Sequence, residues 1–197
     1  MEPARHLVIF ARMPRLGAGK RRLAADIGQL AALSFQRTAL LGLINRLGRD
    51  DRWRSYLAIT PDWAGLRATT HRRFRQSRGD LGARMQAALR RLPPGPAVLI
   101  GSDLPDLRPQ HIEQAFRKLG SADAVFGPAQ DGGYWLVGMK RSQSHPDLFK
   151  AVRWSSVHTL QDTLDNLPNR KVAFLDKRED IDDGAALSRF KSRKGRT

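Results

Sequence analysis

The sequence predicts a single α/β domain in which helices flank a mostly parallel mixed sheet. Apolar, strand-like runs alternate along the chain with stretches of helical periodicity, which is the pattern of βαβ units. Two strand-like runs then follow each other closely around Asp131, which indicates one antiparallel strand inserted in the sheet. A length of 197 residues fits one domain with a sizeable core.

Each element has its own local signal. Short apolar runs predict strands, and apolar residues at helical spacing predict helices, two of which have start signals at Asp80 and Pro109. The predicted strands are Leu7–Ala11, Tyr56–Ile59, Ala97–Ile100, Ala124–Phe126, Tyr134–Gly138 and Lys171–Leu175. The predicted helices are Gly28–Leu47, a helix capped by Asp80 that runs to about Leu92, Pro109–Leu119, Ser155–Leu167 and Asp182–Phe190.

Composition restricts the function classes. The absence of cysteine excludes disulfides, thiolate metal sites and a thiol nucleophile. No apolar run approaches the roughly 20 residues that cross a bilayer or resembles a signal-peptide core, so we expect a cytoplasmic protein. The net charge of +16 suits a polyanionic partner, but the arginines are scattered, so nucleic acid is not the expected one. We predict a domain over residues 1–188 and a basic, flexible tail over 189–197.

A glycine-rich basic loop, Arg12 to Leu23, follows the first predicted strand. Ligands of open α/β sheets bind beyond the carboxyl ends of the strands, where glycines let the backbone approach a phosphate. The loop is not a Walker A motif, because Pro14 and Arg21 stand at positions that the motif needs for glycine and for serine or threonine. A basic surface turn is the alternative. We predict nucleotide contacts at Ala11, Arg12, Gly17, Lys20 and Arg22.

An aspartate follows a fully apolar predicted strand. Val98-Leu99-Ile100 leads into Gly101-Ser102-Asp103-Leu104-Pro105. A carboxylate at the mouth of a sheet suits Mg²⁺ or Mn²⁺, which prefer oxygen ligands and often share substrate phosphates. We therefore predict Asp103 as a catalytic metal ligand, with Ser102 beside the nucleotide. Capping of the next turn is the alternative, and it is the favoured interpretation of Asp106.

An Asp-Gly-Gly segment lies between the two closely spaced strands. Such a segment is by itself a common hairpin turn, but this loop of seven residues falls at the same predicted edge as Asp103. Asp131 can bind a hydroxyl, act as a base or join the metal, and Gly132 and Gly133 can admit an acceptor. Tyr134 and Trp135 are adjacent and therefore face opposite sides of a strand, and we expect one of them in the core.

Two further segments remain open between ligand binding and local structure. Asp180 and Asp182 can reach one ion if the chain there is extended, whereas helix capping by Asp182 or Asp183 is an equal alternative. Gly79 and Asp80 can lie near a base or ribose, or form a turn that Asp80 caps.

In their order along the chain, these segments resemble the bacterial glycosyltransferase-like family that includes arsenosugar-biosynthesis glycosyltransferases, within the GT-A nucleotide-diphospho-sugar transferase superfamily. The matching stretches span roughly Leu7 to Leu187. They are Ile9–Pro14 with Gly17 and Lys20, Gln76 with Gly79–Gly82 and Arg84-Met85, Gly101–Pro105, Gly127–Ala129 with Asp131–Tyr134, Trp154-Ser155, and Asp180–Asp182.

The resemblance implies a Rossmann-like GT-A sheet, a nucleotide-bound donor and a divalent ion. It implies metal binding by Asp103 and phosphate contacts by Lys20 and Arg22. The chain departs from the family pattern where threonine is usual, with Arg21 after the lysine, Ser156 after Trp-Ser and Asp183 after Asp-x-Asp. Arg21 adds bulk and charge beside the expected phosphates.

Two transferase activities follow as hypotheses. The leading one is a metal-dependent glycosyltransferase that uses a nucleoside-diphosphate sugar and a small-molecule acceptor. The other is a nucleotidyltransferase, of guanylyl- or cytidylyltransferase type, that uses a nucleoside triphosphate and a phosphorylated small molecule. A non-catalytic polyanion binder is a third hypothesis, and a homodimer is compatible with the sequence. Asp103 and Asp131 are the predicted catalytic residues, and Asp103 and Asp182 are the predicted metal ligands. The predicted nucleotide contacts are Ala11, Arg12, Gly17, Lys20, Arg22, Gly79, Asp80 and Ser102. The predicted acceptor contacts are Gly132, Gly133, Tyr134 and Trp154.

Overall fold

A computed structural model describes residues 4–61, 72–141 and 147–194 of the chain. Within these ranges the chain forms a sheet of seven strands with helices on both faces, which confirms the predicted α/β fold. The strands are β1 (His6–Arg12), β2 (Arg54–Thr60), β3 (Arg72–Arg75), β4 (Ala97–Ile100), β5 (Ala124–Pro128), β6 (Tyr134–Met139) and β7 (Val172–Phe174). The helices are α1 (Arg21–Ile27), α2 (Gln29–Leu47), α3 (Leu81–Arg90), α4 (Pro109–Leu119), α5 (Thr159–Asp165) and α6 (Gly184–Lys194).

The strand order is β3-β2-β1-β4-β6-β5-β7. All neighbouring pairs are parallel except those of β6, which runs antiparallel to both β4 and β5. The connection from β5 to β6 is too short for the crossover that a parallel pair requires, so β6 must reverse direction. The predicted antiparallel insertion is thus confirmed. The carboxyl ends of β1, β4, β5 and β7 consequently meet at one edge of the sheet, together with the amino end of β6.

The central strands are buried on both faces. In β4, Val98 and Ile100 belong to the core cluster that includes residues of α2 and α4, whereas Ala97 and Leu99 belong to the cluster that includes residues of α3. Because successive side chains of a strand point to opposite faces, two covered faces require a continuous apolar run. This explains why β4 reads as four apolar residues in the sequence. No helix within the described ranges is long and apolar enough to cross a membrane.

A third, smaller core joins α1 and α6 beside the sheet, with Leu23, Ile181 and Leu187 among its buried residues. The helix α6 continues to Lys194, and Arg193 lies 3.7 Å from a carboxylate oxygen of Glu179. The boundary predicted between residues 188 and 189 therefore falls inside a helix, and the basic stretch is helical as far as Lys194. Residues 195–197 of the predicted tail lie outside the described residues.

Three local differences separate the structure from the sequence expectations. The sequence does not predict the helix α1 or the strand β3, because the first lies in the basic loop and the second consists of three arginines and Phe74. Charged residues suit β3, which forms one edge of the sheet, because they discourage pairing with another chain. The helix expected from Ser155 begins only at Thr159, since Ser155 has a φ of 56° and cannot continue a right-handed helix.

Candidate functional site

Lys20 joins the basic loop to two acidic segments at the carboxyl edge of the sheet. Its Nζ lies 2.6 Å from Asp103 Oδ1 and 2.9 Å from Asp182 Oδ1, and it donates to the carbonyl oxygen of Ile181 at 2.8 Å. The lysine side chain is only 9% exposed. Burial lowers the pKa of Lys20, but the ion pairs with Asp103 and Asp182 outweigh it, so the net shift is upward. The lysine is therefore held charged between two carboxylates.

The loop geometry places Lys20 and leaves neighbouring groups accessible. Lys20 has left-handed backbone angles, with a φ of 38°, at the residue before α1. Gly17 has a φ of 72°, and no other heavy atom lies within 4 Å of where its Cβ would be, so the backbone there faces open space. The side chain of Arg22 is 76% exposed and reaches Asp182 Oδ2 only at 3.4 Å. The predicted phosphate-binding residues thus stand beside the predicted metal ligands.

Asp180 is the most perturbed carboxylate of this edge. Its Oδ1 is buried and has no hydrogen-bond partner among the described residues. Burial, followed by the negative charges of Asp103, Asp182 and Asp131, raises the pKa of Asp180 to about 7. The sequence indicated Asp180 only through its spacing from Asp182, because burial is a tertiary property that a sequence of alternating aspartates does not reveal.

The carboxylate groups at this edge of the sheet are of the chemical type that binds a divalent ion. Asp103, Asp180 and Asp182 supply carboxylate oxygens, and the orphaned Oδ1 of Asp180 lacks the cation or donor that would offset its burial. Within the described ranges, no three acidic, histidine or cysteine side chains form a ready metal site. The ammonium of Lys20, which binds both Asp103 and Asp182, takes the place of a cation between them. An ion that used both carboxylates would have to displace it.

The loop around Asp131 is closed by the chain itself. Asp131 Oδ1 accepts from the Gly133 amide at 2.9 Å, as in an Asx-turn. Gly132 has a φ of 89°, and a Cβ there would lie 2.4 Å from Cα of Val157. The Val157 backbone therefore fills the space on the side of Gly132 where a Cβ would lie, and the contacts of Gly132 and Gly133 with an acceptor stay predictions. Asp131 is exposed and close enough to raise the pKa of Asp180.

The aromatic residues near this loop are packed. Trp135 is buried in one core cluster, as expected for one of the two residues, whereas Tyr134 is partly buried and packs against the cluster on the opposite face. Thr163 Oγ1 donates to the Tyr134 hydroxyl at 3.4 Å, and burial raises the pKa of this tyrosine. Trp154 packs on Phe149, with ring centroids 6.1 Å apart. The contacts of Tyr134 and Trp154 with an acceptor stay predictions.

Gln76 was not singled out as a site residue, yet it ties the first two strands to α3. Its Nε2 donates to the carbonyls of Ala11 and Ala58, both at 3.0 Å, and its Oε1 accepts from Arg84 at 3.1 Å. Asp80 caps α3 by accepting from the Ala83 amide at 2.8 Å, so the capping interpretation describes its contact in the structure. Gly79, Asp80, Ala11, Arg12 and Ser102 all lie at or near the carboxyl edge, and their nucleotide contacts stay predictions.

Comparison of the fold with solved structures confirms the resemblance to the nucleotide-diphospho-sugar transferase superfamily. A protein from Desulfovibrio desulfuricans G20, provisionally assigned as a nucleotide-diphospho-sugar transferase, is 27% identical, with a TM-score of 0.87 over 94% of this chain and 85% of that one. The transferase class predicted from the sequence agrees with this similarity. The narrower resemblance to arsenosugar enzymes stays a prediction.

More distant structures share the fold alone. CMP:2-keto-3-deoxy-manno-octonic acid synthetase, solved with CTP, is 10% identical, with a TM-score of 0.62 over 98% of this chain and 99% of that one. Rv0371c from Mycobacterium tuberculosis H37Rv, solved with manganese, is 17% identical, with a TM-score of 0.57 over 95% and 97%. No curated protein matched the sequence. Residues 43–156, more than half of the chain, match the model of uncharacterized proteins conserved in bacteria, and the protein therefore belongs to the DUF2064 family.

Proposed function

We propose that the protein is a metal-dependent glycosyltransferase that takes a sugar from a nucleoside diphosphate and passes it to a small-molecule acceptor. The observation that carries this proposal is the position of Lys20 Nζ, 2.6 Å from Asp103 and 2.9 Å from Asp182. A phosphate-binding cation and two ion-binding carboxylates meet there, at the edge where α/β sheets bind ligands. The similarity to the Desulfovibrio protein supports the donor class.

The carboxylates would hold the ion. Asp103 and Asp182 are the proposed ligands of Mg²⁺ or Mn²⁺, and Asp180 adds a buried oxygen that has no hydrogen-bond partner in the described part of the chain. When bound, the ion would offset the charge of the diphosphate leaving group. The other steps belong to the chain itself: Lys20 and the exposed Arg22 neutralise the phosphates, and the open backbone at Gly17 lets them approach. Nucleotide contacts at Ala11, Arg12, Gly79, Asp80 and Ser102 complete the proposed donor site.

Asp131 is the proposed contact for the acceptor. Its Oδ1 accepts from Gly133, whereas its Oδ2 makes no hydrogen bond within the described part of the chain. A free carboxylate oxygen can accept the proton of an attacking hydroxyl or orient it. The Val157 backbone lies against Gly132, and the Gly132 carbonyl accepts from the Leu160 amide at 2.9 Å, so the turn that presents this carboxylate is tied to the segment that enters α5.

The proposal is tested by thermal shift with a panel of nucleoside diphosphates and diphosphate sugars, each with and without Mn²⁺. We expect stabilisation by a diphosphate nucleotide that depends on Mn²⁺ and is lost in Asp103→Asn. Asp51→Asn is the matched control, because Asp51 is an exposed carboxylate in a turn away from the edge. If the metal-linked stabilisation survives Asp103→Asn, or disappears equally in the control, the site is misassigned.

Nucleotidyl transfer is the second candidate, and the charge of the loop favours it. The loop from Arg12 to Leu23 carries five cations, more than a diphosphate needs and well suited to a triphosphate. They are Arg12, Arg15, Lys20, Arg21 and Arg22. Preference for a triphosphate in the same assay, with release of pyrophosphate in the presence of a phosphorylated acceptor, would favour nucleotidyl transfer over sugar transfer. Salt-sensitive binding to DNA without any nucleotide response would contradict both activities.

A further inference from the structure

A cleft with a volume of about 530 Å³ lies beside the loops that carry the acidic residues. It is lined by Leu104, Gln130 and Ile181, the chain neighbours of the candidate carboxylates, and not by Asp103, Asp131 or the other carboxylates of the site. The cleft is therefore a separate space that shares a wall with the candidate site. Its volume is within the range of ligand-binding pockets.

The side chains around this cleft are predominantly basic. Five cationic and three acidic residues line it. Within the described part of the chain, Arg108 and Lys177 form no ion pair. Arg178 pairs with Asp106 at 3.1 Å, and its guanidinium lies over the ring of Trp135, 5.6 Å from the centroid. A net positive cleft with a fixed arginine and two unpaired cations attracts an anion.

Both ring nitrogens of His111 lie next to hydrogen-bond donors, although a neutral imidazole can accept at only one of them. Arg178 Nη2 lies 2.7 Å from His111 Nε2, while the Arg108 amide lies 3.0 Å from His111 Nδ1. Guanidinium and amide N–H groups can only donate, and a neutral imidazole has one nitrogen that accepts. In either neutral tautomer, the protonated ring nitrogen of His111 therefore faces another N–H donor. In the doubly protonated ring, both nitrogens face N–H donors. Asp106 and Asp176 lie near the ring and line the same cleft, but within the described residues neither accepts a hydrogen bond from it.

An oxygen anion would resolve this conflict between N–H donors. With His111 Nδ1 accepting from the Arg108 amide, Nε2 carries the proton, so two N–H donors lie 2.7 Å apart on residues that both line the cleft. One oxygen placed there accepts from both donors, and such charge-assisted hydrogen bonds are among the stronger ones in proteins. We propose that this cleft binds the phosphate or carboxylate group of a small molecule, with Arg178 and His111 as its donors and Arg108 and Lys177 at its rim. This proposal does not depend on the proposed function.

The test is an NMR titration of the full chain at constant ionic strength, with chloride as the reference anion. Inorganic phosphate and malonate are titrated separately, and the backbone amides of Arg108, His111 and Lys177 are followed. We expect saturable shifts with a Kd of about 1 mM for at least one of the two anions. Saturation by phosphate alone identifies a phosphate group, saturation by malonate alone a carboxylate, and saturation by both the shared oxyanion chemistry.

Variants assign the binding to the cleft. Arg178→Gln is expected to weaken it about tenfold or more, as the loss of a charged hydrogen bond requires, and Arg178→Lys to restore part of it. His111→Phe keeps a ring and removes its donor, so it should also weaken binding. Arg117→Gln is the matched control, since it removes the same charge from an exposed position of α4 outside the cleft, and it should change the Kd less than about twofold.

A last control separates the cleft from the candidate nucleotide site, where phosphate is also expected to bind. The double variant Lys20→Met with Arg22→Gln should leave the shifts at Arg108 and His111 in place. The proposal is overturned if neither anion gives saturable shifts beyond chloride, or if Arg117→Gln weakens binding as much as Arg178→Gln. Anion binding in the cleft without any nucleotide response would contradict the proposed function and leave the cleft assignment standing.

Discussion

Lys20 Nζ lies 2.6 Å from Asp103 Oδ1, so the residue proposed to bind phosphate is the ion-pair partner of the residue proposed to bind metal. Without a ligand, the ammonium offsets the charge of Asp103 and of Asp182. A divalent ion and a diphosphate would exchange these partners, with the ion taking the carboxylates and the lysine taking the phosphate. In the free protein Lys20 then competes with the metal for the carboxylates, and in the complex it binds the phosphates of the nucleotide.

Replacing Lys20 with methionine tests this exchange. Lys20→Met removes a cation that occupies the carboxylates, so the affinity for Mn²⁺ alone should rise about tenfold, while the affinity for a diphosphate nucleotide should fall by a similar factor. Calorimetric titration measures both constants. Lys171→Met, at an exposed position, serves as the control and should change neither. A weaker Mn²⁺ affinity in Lys20→Met would show that the lysine supports the metal instead of competing with it.

The sequence predicts the parts of this edge that follow from strand ends. The apolar runs of β1 and β4 are strong signals because both strands are buried on two faces, and Lys20 and Asp103 follow from them by chain position. The strand β3 has no such signal, since its arginines suit an exposed edge rather than a core. The sequence therefore predicts the fold class and the position of the candidate residues Lys20 and Asp103 at this edge, but not the charged edge strand.

Tertiary contacts account for the rest. Gly132 looks like a turn residue in the sequence, but only the structure shows that Val157 comes so close that a side chain is excluded. Asp180 looks equivalent to Asp182, yet of these two residues only Asp180 has a buried oxygen that finds no hydrogen-bond partner among the described residues. Gln76 bonds to two carbonyls from different strands, which no local pattern encodes. Each of these features depends on segments far apart in the chain.

Asp180 should make the metal-free protein less stable as the pH rises. Burial, followed by neighbouring carboxylates, raises its pKa to about 7, whereas the unfolded chain releases this proton near 3.8. Between these values the native state holds a proton that the unfolded state has lost, so this contribution is fully present below pH 3.8 and is lost as the pH rises through 7. Asp180→Asn should remove the dependence and be more stable than the wild type at pH 8 by about 2–4 kcal/mol.

Urea unfolding in the presence of a chelator, from pH 4 to pH 8, measures this effect. The two proteins should have similar free energies of unfolding at pH 4 and diverge towards pH 8. Asp51→Asn should follow the wild type throughout, because Asp51 is exposed. Parallel curves for the wild type and Asp180→Asn would show that Asp180 ionises normally.

Gln76→Ala should destabilise the protein by about 1–3 kcal/mol, because it leaves two partly buried carbonyls, of Ala11 and Ala58, without this donor. Arg84 would also lose its contact with the Gln76 oxygen. Gln110→Ala, in the exposed first turn of α4, is the control and should be close to neutral. Equal free energies of unfolding for the two variants in urea would show that the Gln76 bonds add nothing to stability.

Gly132→Ala should be among the most disruptive single-methyl additions in the chain. The new Cβ would lie 2.4 Å from Val157 Cα and 2.5 Å from its carbonyl oxygen, both backbone atoms, and the φ of 89° disfavours any side chain. Strain and overpacking together should cost about 2–5 kcal/mol in the free energy of unfolding. Gly42→Ala adds the same methyl within α2, where no atom lies within 4 Å, and should stabilise the helix by about 0.5–1 kcal/mol.

Because the Val157 backbone meets the loop of Asp131 at Gly132, Gly132→Ala should also shift the amide resonances of both segments, whereas Gly42→Ala should not. Similar unfolding curves for the two variants would mean that the loop yields at little cost and that the turn presenting Asp131 is not rigid.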